Sequence, residues 1–163
     1  MLKKIKIFFK YWFLIIFLFP VGIVLLAIIR LIRPFILIRW KQLMSTRIGH
    51  FAINTELYLC ERDNKINIPS KKYIDFFYFA AAPVSNKQLA KMWKRVLKIL
   101  PTPIMRSVEI TNNLIPGGEI HKIKNNASGA IDVHGLLDKT EAHIKFNEKE
   151  EKYGQAFLKN MGL

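Results

Sequence analysis

Residues 11–29, YWFLIIFLFPVGIVLLAII, run for nineteen positions without a charge. As one helix that stretch is about 28 Å long, close to the hydrocarbon thickness of a bilayer. Tyr11 and Trp12 stand at one end, where amphipathic rings favour a membrane interface. No small-residue cleavage site follows, which argues against a removed leader. The expectation is therefore a membrane helix, with residues 1–42 as an anchor with basic flanks and 43–163 as the globular domain. Lys3, Lys4, Lys6 and Lys10 precede the run, and Arg30, Arg33, Arg39, Lys41 and Arg47 follow it. With both flanks basic, charge does not choose between a single pass and a re-entrant or interfacial helix, to which a kink at Pro20 would contribute. RPFILIRW, residues 33–40, interleaves Arg with apolar residues and reads as an interfacial helix or the end of the anchor.

Charge follows the same division. The net charge is +14, but residues 1–47 carry nine basic residues and no acidic one. The other 116 hold seventeen basic and twelve acidic residues. A basic signal concentrated beside an apolar run points to anionic lipid as partner and away from nucleic acid. The expected location is a bacterial inner membrane with the soluble part on the cytoplasmic side. Cys60 is the only cysteine, so there is no intrachain disulfide framework.

Beyond the join KQLMSTRIGH, residues 50–62 read as a helix with apolar positions at Ile53, Leu57 and Cys60, widened by Ala52 and Leu59. YIDFFYFAAAPVSN, residues 73–86, reads as a buried strand and a loop. NKQLAKMWKRVLKIL is an amphipathic helix capped by Ser85 or Asn86 and stopped by Pro101 and Pro103. IPGGEI is a turn, HKIKNNASGA a surface loop, and DVHGLLDKTEAHIKF holds a short helix and a strand-like end. Asn147 with Glu150 forms a capping box for a last helix, and Gly162 suits the position just past its end. Alternating strands and helices imply an α/β layer with parallel strands. In that scheme a strand should follow Leu163, so the domain reads as incomplete.

RIGH carries the candidate chemistry. A Gly in a strand–helix turn lets a ligand approach backbone closely, and free N–H groups at a helix start favour anions. His50 is a candidate base or donor, Asn54 shares its helical face, and Arg47 can pair with phosphate. The alternative is a plain bend with a capping His. Glu56, beside Thr55, could orient His50 or a sugar hydroxyl, or simply be a solvated carboxylate. Ser85 and Asn86 could line a pocket as well as cap a helix. His121, His134 and His143 match no metal-ligand spacing, so no metal is expected. There is no Walker lysine motif, no G-x-S-x-G and no G-x-G-x-x-G.

RIGHFAINTELYLCER resembles the N-terminal signature of a bacterial family of glycosyltransferases associated with surface-polysaccharide assembly, in an Arg-x-Gly-His turn followed by Asn-Thr-Glu-Leu. Here these are Arg47, Gly49, His50, Asn54, Thr55, Glu56 and Leu57. AAAPVSNKQLAKMWKRVLKILP is similar to that family's next strand–loop–helix unit, and residues 132–163 to its segment ahead of the second half. The resemblance implies a Rossmann-like N-terminal half of a GT-B enzyme. His50 and Glu56 would be catalytic, and Arg47, Gly49, Asn54, Thr55, Ser85 and Asn86 would bind substrate. The acceptor would be lipid-linked or a polysaccharide. The nucleotide-sugar donor would sit on a C-terminal half, so no cofactor is expected on this chain. Activity would require that half; the alternative is a non-enzymatic membrane-anchored module or an inactive remnant.

Overall fold

The computed structural model describes residues 2–124 and 131–162. The element order is α1 (Leu2–Ile32), β1 (Leu37–Leu43), α2 (Ile48–Asp63), β2 (Tyr73–Phe79), α3 (Lys87–Val96), α4 (Thr102–Leu114) and α5 (Glu148–Asn160). A single 3-10 turn, Gly118–His121, follows α4.

β1 and β2 pair in parallel with α2 as the crossover, in register from Leu37 opposite Tyr73 to Leu43 opposite Phe79. Single parallel bridges extend the pairing on each side, Trp40 to Lys122 and Phe77 to Ile99. Among the described residues the sheet has two strands. The Rossmann-like parallel-sheet domain expected from the sequence is therefore corrected to a two-stranded α/β unit. The later segments that would widen the sheet touch it at one residue pair each.

Both faces of the pair are covered, which suits strands that are apolar on both sides. On one face Leu43 and Phe77 pack with Phe51 and Leu59 of α2 and with Leu89, Ala90 and Trp93 of α3. Trp93 Nε1 also donates to the Phe51 carbonyl at 3.1 Å, tying α3 to α2. On the other face Trp40 and Tyr78 pack with Leu26 of α1 and with Met105 and Val108 of α4.

This second layer changes the reading of the N-terminus. The helix continues through Pro20 to Ile32, and part of its apolar surface is used inside the fold. Gly22 lies where a Cβ would stand 2.8 Å from the Ser107 carbonyl carbon, so the missing side chain lets α1 and α4 approach closely. Arg30 then ties the helix end down through the Ile115 and Pro116 carbonyls at 3.1 and 3.0 Å. Among the described residues no helix is long and apolar enough to cross a membrane. The expected membrane-spanning helix over 11–29 is corrected accordingly. An apolar run alone does not distinguish a bilayer from a neighbouring helix and sheet as its environment. The side chains of Tyr11 and Trp12 lie outside the described residues, as does the 125–130 part of the loop expected after His121.

Three further differences are local. RPFILIRW contributes to β1 instead of an interfacial helix, because its alternate residues meet the two core layers. Pro101 and Pro103 do end the preceding helix, but they also start α4: Pro101 is its N-cap and Pro103 lies in its first turn, where a missing N–H costs nothing. Residues 131–146 form turns in place of a short helix. The capping box of α5 is present as expected, and Gly162 takes φ +80° just past its end.

Candidate functional site

The C-terminal ends of β1 and β2 are pinned together by Ser45. Its hydroxyl accepts from the Ala80 N–H at 3.0 Å, and its carbonyl accepts from the Ser85 N–H at 2.8 Å. That contact brings the RIGH turn beside the AAAPVSN loop. Arg47 is the N-cap of α2 by its extended backbone, makes no side-chain cap, and is exposed. Gly49 follows in the first turn, and a Cβ placed there meets nothing within 4 Å. Backbone N–H groups at such a helix start lack intrahelical partners and attract anions.

His50 and Asn54 lie one turn apart with Asn54 Nδ2 3.3 Å from His50 Nδ1. The amide N–H donates, so Nδ1 accepts and the ring proton sits on Nε2. Asn54 Nδ2 also reaches Met44 Sδ at 3.7 Å, while Asn54 Oδ1 is buried without a hydrogen-bond partner. Asn86 caps α3 by accepting from the Leu89 N–H at 2.9 Å, which commits its side chain to structure. Thr55 is buried and faces inward.

The remaining sequence candidate, Glu56, turns away from His50. Its Oε1 accepts from His143 Nδ1 at 2.8 Å and from the His143 backbone N–H at 2.9 Å. His143 Nε2 is 2.9 Å from Asp63 Oδ2. Burial opposes a charge on this ring, but the hydrogen bonds to Glu56 and Asp63 outweigh it and raise the pKa above the usual histidine range. The hydrogen bond to His143 in turn lowers the pKa of Asp63. Cys60 stands one helical turn beyond Glu56, and burial, with the Glu56 charge nearby, pushes its thiol pKa up. The 56, 60, 63 spacing is one helix face and was readable in sequence. His143, eighty-seven positions from Glu56, was not.

Two other titratable groups are held in unusual states. Burial lowers Lys41 to about 8, partly offset by Glu61. His121 stacks on Trp40 at 5.5 Å and donates from Nδ1 to the Ile38 carbonyl at 2.6 Å, and burial lowers its pKa.

Comparison with known proteins finds no match: no family model, curated protein or solved structure matches this chain.

Proposed function

We propose that the chain is the acceptor-side part of a sugar-transfer enzyme working at an anionic membrane surface. The observation that carries this reading is the meeting of Arg47, the open Gly49 turn and the His50–Asn54 pair beside Ser85 at one end of the parallel strands. Ligands of α/β sheets commonly bind outside the carboxyl ends of strands. A positive side chain, free helix-start N–H groups and an imidazole N–H are suited to a phosphate-linked acceptor. With Nδ1 engaged by Asn54, His50 contributes as a donor through Nε2 to a phosphate or sugar hydroxyl. Glu56 takes no part in orienting it. The resemblance of Arg47–Leu57 to the glycosyltransferase signature supports the reaction class, with the nucleotide-sugar donor held by a separate half.

The surface of α1 supports the location. Phe17, Val21, Val24, Ile28 and Leu31 recur at helical spacing and are exposed, Phe17 by 73% and Leu31 by 78%, and Phe35 continues the stripe at 81%. With exposed Arg33 beside them and no acidic residue before Arg47, the stripe suits the boundary of an anionic bilayer.

The test is flotation of the purified full chain with two sets of vesicles of equal anionic charge, one carrying a polyprenyl-phosphate-linked sugar. Preferential binding to that set, abolished by Arg47→Ala with His50→Ala, is the expected result. Equal binding to both sets would reject the acceptor site and favour a non-enzymatic membrane module.

A further inference from the structure

Glu56, Cys60 and His143 place one carboxylate oxygen, one thiol sulfur and one imidazole nitrogen within 4.8 Å of one another. We propose that these three residues form a binding site for a divalent transition ion of the zinc class, with Asp63 orienting the histidine. The proposal does not depend on the sugar-transfer reading, which uses the other end of α2.

Three features of the geometry support it. First, Glu56 and Cys60 are one turn apart on α2, so the helix fixes two ligands at once, while His143 arrives from the 131–146 segment. Second, the chemistry is mixed in the way zinc accepts: thiolate, imidazole and carboxylate at about 2.0–2.3 Å, giving tetrahedral edges of about 3.3–3.8 Å. The three atoms bracket that range. The 2.8 Å His143–Glu56 contact must open by about half an ångström, and the widest separation must close by about one. Both are side-chain adjustments. Third, the surroundings are those of a ligand set. His143 Nε2 faces Asp63 Oδ2 at 2.9 Å, the arrangement in which a metal-bound histidine donates its other ring N–H to a carboxylate. Glu56 Oε2 is buried with no hydrogen-bond partner, leaving a carboxylate oxygen with lone pairs to spare.

Three protein ligands leave a fourth position for water. The soft sulfur and the imidazole select zinc, cobalt or copper over magnesium or calcium, which prefer all-oxygen sites. Bound there, the ion fastens the 131–146 segment to α2. Without it, the hydrogen bonds of His143 to Glu56 and Asp63 supply the same connection more weakly.

The test is a Co(II) titration of untagged, chelator-treated full chain, followed by Zn(II) displacement. The expected result is one equivalent bound with a thiolate-to-cobalt charge-transfer band, lost on adding Zn(II). Cys60→Ser should abolish the band, and His143→Gln should weaken binding at least tenfold. Asp63→Asn should weaken it by roughly 10–100-fold while keeping the band, and His134→Gln should change nothing. The wild-type spectrum needs no variant to be decisive. Absence of the band, or stoichiometric binding that survives both Cys60→Ser and His143→Gln, overturns the site.

Discussion

Toward α2, the sheet turns Arg39, Lys41 and Asp75; toward α1 and α4, it turns Ile38, Trp40, Phe76 and Tyr78. The first face holds an ion pair in register across the strands. Arg39 Nε and Nη2 reach the Asp75 carboxylate at 2.8 and 2.6 Å, and Tyr58 of α2 donates to the same group at 2.5 Å. Both charged side chains are almost fully buried. The second face closes by shape, through Gly22 against Ser107 and Trp40 against His121. A two-stranded sheet has few ladder hydrogen bonds to set its register. The contrast indicates that the charged face specifies which residues pair, while the apolar face supplies the drive to pack.

The largest effect should come from breaking the charged face. Asp75→Ala leaves Arg39 buried without its partner and should cost about 3–5 kcal/mol in denaturant unfolding. Replacing both, Arg39→Met with Asp75→Leu, should recover most of that loss, since the pair itself has a large desolvation cost. Failure of the double variant to recover would show that the Tyr58 hydrogen bond and register depend on the carboxylate.

The next effect should come from the close approach on the other face. Gly22→Ala forces α1 from α4 and should cost about 1–3 kcal/mol by thermal or denaturant unfolding. Ile23→Ala, at an exposed position of the same helix, should stay within about 0.5 kcal/mol. Equal effects at both positions would mean that the α1–α4 contact contributes little to stability.

A smaller, pH-dependent effect belongs to His121. Its Nδ1 is committed to the Ile38 carbonyl and its Nε2 is buried without a partner, with Arg30 and Arg33 adding repulsion to the burial penalty. The folded pKa lies below 6.5, so the unfolded chain takes up the proton first as pH falls. This group's contribution to stability is complete above that value and is lost as pH drops through the folded pKa. His121→Gln should flatten the stability–pH slope in that window, read from denaturation midpoints.

The smallest effect concerns α5, which buries none of its residues. Arg95 meets Glu150 at 2.9 and 3.1 Å and also reaches the Lys145 carbonyl. Arg95→Ala should raise amide exchange in 147–160 and leave the rates in β1 and β2 unchanged.

How much of this was readable in the sequence depended on whether the signal was local. The β-rich run at Tyr73–Phe79 and the Asn147–Glu150 capping box state their structures within a few residues. The helix after RIGH was also legible, although Ile53, placed on its apolar stripe, is exposed while Phe51 is fully buried. α4 was missed because Pro101 and Pro103 announce the end of one helix and the start of another with the same chemistry. β1 was hidden by Arg39 and Lys41, whose burial depends on Asp75 and Glu61 in distant segments. The His50–Asn54 pairing follows from helical spacing alone. The Glu56–His143–Asp63 connection requires the tertiary fold, and no spacing rule reaches across eighty-seven positions.

The most direct test of the sugar-transfer reading is an isotope-labelled transfer assay with the full chain, a mixture of nucleotide sugars, membranes as the source of a donor-binding half, and a polyprenyl-phosphate acceptor. Transfer of label to the lipid that requires this chain, and falls at least tenfold in His50→Ala while Glu56→Gln keeps most of it, is the predicted result. Label transfer indifferent to the chain, or unchanged in His50→Ala, would contradict it.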